Sequence, residues 1–263
     1  MSEQSKIAPQ RVALVAGGGR GIGYAICERL AVEGYIIVAA ARTLEELDKL
    51  KTEFHRKGLT ASCYEFDIAD AKSVDSLVKQ VMTEYGRIDV MVNSAGTSYV
   101  APVALSNLEK SQAVIQVNLM GAFIISRAVV RIMIRQKHGR IVHIGSISGT
   151  IGAAYNAIYA ASKGGVAGLV KSLALEVAPL GITVNAVQPG TVHTELFEQT
   201  HGARAKLKGI TLEEQKKEME ADSPINRLVQ PSEIAGAVAY LVSDDAAAVN
   251  GHLLTVDGGR SVS

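Results

Sequence analysis

Short runs of β-branched and aliphatic residues alternate along the chain with longer segments whose apolar positions recur every three or four residues. The runs Val12–Ala16, Tyr35–Ala40, Ala61–Phe66, Ile88–Val92, Arg140–Gly145, Ile182–Val187 and Leu253–Val256 predict seven strands. Between them, Ile22–Glu33, Leu44–Lys57, Ala71–Tyr85, a long stretch around Asn107–Gln136, Asn156–Pro179 and Ser232–Ser243 carry helical spacing, with breakers such as Gly34, Gly58, Gly86 and Gly181. Strands separated by helices require right-handed parallel crossovers. The expectation is therefore an α/β fold, one domain spanning residues 1–263 with a doubly wound parallel sheet of seven strands and helices on both faces. In such a sheet the ligand crevice lies beyond the carboxyl ends of the strands, so functional residues are expected on the loops that follow strands. One stretch breaks the rhythm. Residues Thr191–Ser223, rich in Glu and Lys, predict a long helical excursion over that crevice, serving as a solvated face or as a substrate lid.

Composition narrows the function classes. Of 263 residues, 48% are hydrophobic and 20% charged, which suits a sheet buried on both faces. Net charge is +1 with Lys and Arg scattered, so neither a nucleic-acid stripe nor a basic membrane-surface helix is expected. Met1–Arg11 holds Glu3 and Pro9 without a long apolar core, which argues against a secretory signal. No apolar run is expected to reach membrane-spanning length, and a cytoplasmic location follows as the expectation. The two cysteines, Cys27 and Cys63, sit in no CxxC and near no histidine cluster; they read as buried free thiols, with no metal site.

Candidate chemistry starts after the first strand. Gly17-Gly18-Gly19-Arg20-Gly21-Ile22-Gly23 leads straight into a helix, and glycines at such a junction let the backbone turn tightly and admit a pyrophosphate to the helix amino terminus. The second strand ends Ala40-Ala41-Arg42-Thr43. An acidic residue there would accept the 2′-hydroxyl of NAD, whereas small residues followed by Arg make room for a 2′-phosphate. With Arg20 as a second cation for that phosphate, the pattern predicts NADP(H).

Eight tyrosines are present, but only Tyr159 has a lysine four positions later, Lys163, near the start of the helix after the fifth strand. Both side chains are expected to face the crevice. An ordinary phenol is too weak an acid for neutral-pH proton transfer, so a neighbouring ammonium and an oxidised nicotinamide are expected to lower its pKa. Ser146 closes the fifth strand, where its hydroxyl could polarise the same substrate oxygen. His143 lacks the Gly-x-Ser-x-Gly context of a hydrolase elbow and reads as a packed side chain.

These residues carry a resemblance. From about Arg11 to Gly259 the chain resembles the short-chain dehydrogenase/reductase family, on the glycine motif, Asp67-Ile68, Asn93-Ser94-Ala95-Gly96, Asn118, Ser146 thirteen before Tyr159, Tyr159-Ala160-Ala161-Ser162-Lys163 and Pro189-Gly190. The resemblance implies a Rossmann-type fold with Tyr159 as proton donor and acceptor, Ser146 orienting substrate, Lys163 holding the ribose and tuning Tyr159, and Asn118 keeping a relay water. It implies cofactor contacts from Gly17, Gly19, Arg20, Gly21, Ile22, Gly23, Arg42, Asp67, Ile68, Asn93, Ala95, Gly96, Pro189, Gly190, Thr191, Val192 and Thr194, besides Tyr159 and Lys163. Ala16 and Ser94 depart from the family's usual Thr and Asn.

Within the family the chain looks most like the 3-oxoacyl reductase and ketoreductase branch, in Gly145-Ser146, Gly149–Gly152, Gly181–Asn185 and Leu253–Gly259. Carrier-protein reductases have a basic residue just before that Gly-Ile-Thr segment; here it is Leu180, although Lys137 matches a second basic position. A free ketone or a coenzyme A ester thus stays open beside a carrier-linked thioester. Ile147, Tyr155, Gln188, Val192, Leu196 and Phe197 are expected to form a mostly apolar substrate wall. A dinucleotide sensor without turnover, or a dehydrogenase of hydroxysteroids or small secondary alcohols, are the alternative functions. The resemblance also implies a homotetramer or dimer, through helices around Leu119–Ile134 and Ala157–Ala178.

Overall fold

A computed structural model describes residues 10–263. The reading of the opening segment as no secretory signal falls almost wholly on residues 1–9, outside the described residues. Seven strands form one parallel sheet: β1 Val12–Ala16, β2 Ile36–Ala41, β3 Ala61–Glu65, β4 Val90–Asn93, β5 Gly139–Ile144, β6 Ile182–Pro189 and β7 Leu253–Val256. Their order across the sheet is β3-β2-β1-β4-β5-β6-β7. The chain winds outward in opposite directions from β1 and β4, and where it reverses the loops after these two strands part to leave a crevice.

Successive strand residues bury themselves in opposite layers. Val12, Leu14 and Ala16 join a core with α3 (Ala71–Tyr85), α5 (Gly121–Gln136) and α7 (Ala157–Val177). Ala13 and Val15 join the other core, with α1 (Gly21–Val32), α2 (Leu44–Arg56) and α10 (Pro231–Val242). Each fully buried aliphatic side chain contributes about 1.5–3 kcal/mol, which is why central strands read as apolar runs without alternation. Asp89 is one charged exception. Completely buried before β4, its Oδ2 accepts from the Val12 backbone N–H at 2.9 Å, and both oxygens are gripped by Arg87 at 2.7 and 2.6 Å.

Several expectations are corrected. The stretch Asn107–Gln136 is α4 (Leu108–Ile115), a widened π turn (Gln116–Met120) and α5, stacked end to end. Together Leu108–Gln136 form 29 helical residues long and apolar enough to cross a membrane by composition, contrary to expectation. Their apolarity has a local cause: Ile125, Val129 and Met133 are fully buried against the sheet. A single turn, α6 (Ser148–Ile151), was not foreseen in its polar segment. The excursion after β6 is two helices, α8 (Glu195–Lys208) and α9 (Leu212–Ala221). Gly209 ends α8 at φ 72°, and Thr211 opens α9 by accepting from the Glu214 N–H while Glu214 accepts from the Thr211 N–H. Phe197, Met219 and Leu228 form a separate small core beneath this pair. Cys27 is buried as expected, but Cys63 is only partly so, because β3 is an edge strand with half-covered faces.

His143 on β5 is a packed side chain, its Nε2 3.0 Å from the Ser126 hydroxyl and its Nδ1 3.4 Å from Asn93 Nδ2. Burial, then the charge of Lys163, hold its pKa down to about 4. The folded state therefore keeps His143 neutral while the unfolded chain takes up a proton below about 6.5, and stability drains away as pH falls from 6.5 towards 4, by up to about 3 kcal/mol. Urea titrations at pH 7 and pH 4.5 are expected to show a smaller acid loss in His143→Asn than in the wild type. Equal losses would remove His143 from the account.

Candidate active site

The crevice is a cavity of about 530 Å³ lined by the loops that follow β1, β4, β5 and β6 and by α8. Steric demands explain the glycine loop. Gly17 lies at φ 75°, and a Cβ on it would stand 2.6 Å from the Ala95 nitrogen; on Gly23 it would stand 1.9 Å from the Gly17 carbonyl oxygen. Only bare backbone lets α1 begin this close to β4, with its first N–H groups turned to the cavity. Gly190 makes a similar close approach, since a Cβ there would meet Asp257 Cβ at 2.8 Å.

Gly17, Arg20, Gly21, Ile22, Arg42, Ile68, Ala95, Gly96, Ser146, Tyr159, Lys163, Pro189, Gly190, Thr191, Val192 and Thr194 all lie on the cavity wall. Gly19, Gly23, Asp67, Asn93 and Asn118 do not. Gly19 and Gly23 shape the loop from behind. Asp67 is exposed and turned onto its own loop, its Oδ1 accepting from the Ala69 N–H at 2.9 Å. Asn93, buried, accepts from the Ala95 N–H at 3.1 Å and so fixes the loop after β4. Asn118 sits in the π turn with its side chain fully engaged. Its Oδ1 accepts from the Thr97 N–H at 2.8 Å, and its Nδ2 donates to the Thr97 carbonyl and to Ser162 Oγ at 2.9 and 3.0 Å. Since Ser162 in turn donates to the Tyr159 carbonyl at 2.7 Å, Asn118 ties the loop after β4 to the first turn of α7. Its side chain holds that junction.

At the far end of the dinucleotide groove Arg42 is exposed on the wall and in no ion pair among the described residues. Arg20 differs from expectation: its Nε lies 3.2 Å from Glu46 Oε1, so its charge is partly answered from within the protein. Glu46 stands one turn into α2, beyond the strand end on which the cofactor pattern turns.

The chemical end is built by β5 and α7. Lys163 is buried, and its Nζ donates to the Ile144 carbonyl at 2.7 Å and stands 5.7 Å from the centre of the Tyr159 ring. Burial pulls its pKa down to about 8, which leaves it mostly protonated at neutral pH. Tyr159 carries a correction. Burial raises the phenol's pKa, and the Ser146 hydrogen bond works against that rise.

The substrate wall is less apolar than expected. Ile147, Val192, Leu196 and Phe197 line it, but Tyr155 and Gln188 do not: Tyr155 turns outward at φ 63°, and Gln188 is buried against Thr150. Thr200, His201, Arg204, Met219 and Arg260 line it instead. His201 and Arg204 share one face of α8 by their spacing of three, a signal present in the sequence. Arg260, beyond the last strand, carried no such signal.

The residues present fit a nicotinamide dinucleotide. Bare glycine backbone and a twelve-residue helix amino terminus face the cavity, a cation stands at one end and a Tyr–Lys pair at the other. Comparison with known proteins agrees. The family described as short chain dehydrogenase matches residues 11–205. A 3-oxoacyl-(acyl-carrier-protein) reductase of Synechocystis sp. is 38% identical over 251 residues, 95% of this chain and 96% of that protein. The protein of the same description from Escherichia coli is 37% identical, with the same coverage. A crystal structure of an actinorhodin polyketide ketoreductase variant with NADPH superimposes at a TM-score of 0.94, with 38% identity over 97% of this chain and 98% of that one.

Proposed function

The chain belongs to the short chain dehydrogenase family, and on that premise we propose that it transfers hydride between NADP(H) and a ketone or the matching secondary alcohol. The observation that carries this reading is the meeting of Ser146, Tyr159 and Lys163 on one stretch of cavity wall. The bound cofactor supplies the hydride. Ser146, fixed at the end of β5 with its Oγ accepting from the Ser148 N–H at 3.1 Å, positions the substrate oxygen. Tyr159 delivers the proton to that oxygen during reduction and removes it during oxidation. Lys163, clamped to the Ile144 carbonyl, keeps a positive charge beneath the phenol and favours the phenolate whenever the proton has left. The helices α8 and α9, with their own small core, form the substrate lid at about residues 191–223.

NADP(H) is favoured over NAD(H) by Arg42, the unpaired cation at the groove end, and by the NADPH held in the similar ketoreductase structure. A 3-oxoacyl-type ketone fits the descriptions of the relatives. Carrier-protein docking is less well served, since Leu180 stands where a second cation would join exposed Lys137 beside Gly181. Exposed Phe123 and Ile134 on α5 and Leu175 on α7 favour a homotetramer or a dimer.

Three outcomes are expected. With a ketone panel, Tyr159→Phe lowers turnover by about 100- to 10,000-fold while NADPH still binds; retained turnover refutes the mechanism, and tight binding without wild-type turnover of any ketone favours a sensor. Arg42→Asp moves the NADPH-to-NADH ratio of kcat/KM by at least about tenfold towards NADH, and an unmoved ratio overturns the NADP(H) assignment. Sedimentation equilibrium gives a multiple of the 27.8 kDa chain mass, and a monomer contradicts the assembly.

A further inference from the structure

Three nitrogen-bearing side chains on the substrate wall have no part in the hydride chemistry: His201 and Arg204 of α8, and Arg260 from the segment after β7. Each is held to another residue of the same cavity wall. Arg204 Nη2 donates to the Ala154 carbonyl at 2.5 Å, five residues before Tyr159. Arg260 Nη1 donates to Thr191 Oγ1 at 2.7 Å, just past Pro189-Gly190. His201 stacks on Phe197 with ring centres 4.5 Å apart.

The charges around this cluster do not balance. Arg204, partly buried, is in no ion pair among the described residues, and its protonation is disfavoured by burial and by Arg260. Among the described residues Arg260 has one ion-pair partner, the largely exposed Asp222, at 3.5 Å. Lys208 on the same helix is already paired with Glu218. Glu195, the nearest acidic residue of the wall on α8, points to the cofactor end, where its Oε2 lies 3.8 Å from the position of a Cβ on Gly21. His201 Nδ1 is buried without a hydrogen-bond partner among the described residues. Burial and the flanking cations Arg204, Arg260 and Lys208 hold the imidazole neutral. A buried orphan nitrogen beside an unanswered guanidinium is unfavourable by itself and is relieved by an anion.

We propose that His201, Arg204 and Arg260 form a subsite for a carboxylate carried by the substrate, so that the enzyme acts on oxo acids or the matching hydroxy acids. With Arg260 answered by Asp222, one positive charge is left over, which matches a singly charged carboxylate better than a dianionic phosphate. The Arg204 fork donates to one or both carboxylate oxygens, and His201, in the tautomer bearing hydrogen on Nδ1, donates a further bond. This subsite rests on the reading of Ser146, Tyr159 and Lys163 as a carbonyl-reducing trio in the same cavity.

The test compares 4-oxo, 5-oxo and 6-oxo acids with their methyl esters as substrates for NADPH oxidation, using wild type and Arg204→Gln. At least one acid is expected to exceed its ester in kcat/KM by about 10- to 100-fold, mostly through KM, and Arg204→Gln is expected to collapse that ratio towards one. Thermal unfolding gives a readout independent of turnover: in the presence of NADPH the preferred acid raises the wild-type Tm and its ester does not, and Arg204→Gln abolishes the difference. Esters reduced as well as acids, with Tyr159-dependent turnover, overturn the subsite and leave the reductase reading intact. Acid-specific stabilisation without reduction of any ketone supports the subsite and sinks the reductase reading. Inorganic phosphate or a phosphate monoester protecting Arg204 better than the acids overturns the assignment to a carboxylate.

Discussion

An ammonium buried beneath a phenol is the constraint around which this molecule is arranged. Taking the Lys163 charge out of water is unfavourable, by about 3 kcal/mol on the scale of its fall from the ordinary lysine pKa of 10.5 to about 8. The Ile144 carbonyl, spare because it lies at the end of β5, returns part of that through a 2.7 Å hydrogen bond. What remains is a positive charge with few competitors, able to act on whatever lies above it in a low dielectric. Tyr159, one helical turn earlier, is the group above it. Left to burial alone that phenol becomes a weaker acid, so the pair is poised to respond to a further positive charge brought by an oxidised cofactor.

The rest of the fold serves that arrangement. Parallel strands end together on one side of the sheet, and the reversal between β1 and β4 opens the groove in which a dinucleotide can lie. Glycines 17 and 23 let α1 press against this opening, while Asn93 and Asn118 lock the loop after β4 by hydrogen bonds to backbone N–H groups. Asn118 reaches the first turn of α7 through Ser162, so a side chain off the cavity wall still governs where Tyr159 stands. Above, α8 and α9 pack on their own small core.

Much of this was legible because it rests on local rules. Strands buried on both faces announce themselves as apolar runs, and all seven appear within two residues of the expected ends, β6 running on to Pro189. There the proline, the last residue of the strand, supplies a carbonyl to the Ile147 N–H at 3.1 Å, and a missing N–H does no harm. The glycine loop and the Tyr–Lys spacing were equally plain, since each is fixed by one helix or one turn. Illegible features depended on distant pairings. Arg20 meets Glu46 across the groove, Arg260 comes to the substrate wall from beyond β7, and Tyr155 turns away through a positive φ that its residue type does not suggest. The break between α8 and α9 was readable: Gly209 and the Thr211–Glu214 box spell a stop and a start.

The central claim, that the buried ammonium sets the acidity of the phenol, is tested most directly by the pH dependence of kcat/KM for alcohol oxidation in wild type and Lys163→Met. The rise with pH reports loss of the Tyr159 proton. Removing the ammonium is predicted to move that inflection upward by at least about one pH unit, besides slowing the reaction. An inflection that stays in place while the rate falls uniformly would mean that Lys163 only holds the cofactor, and would contradict the account.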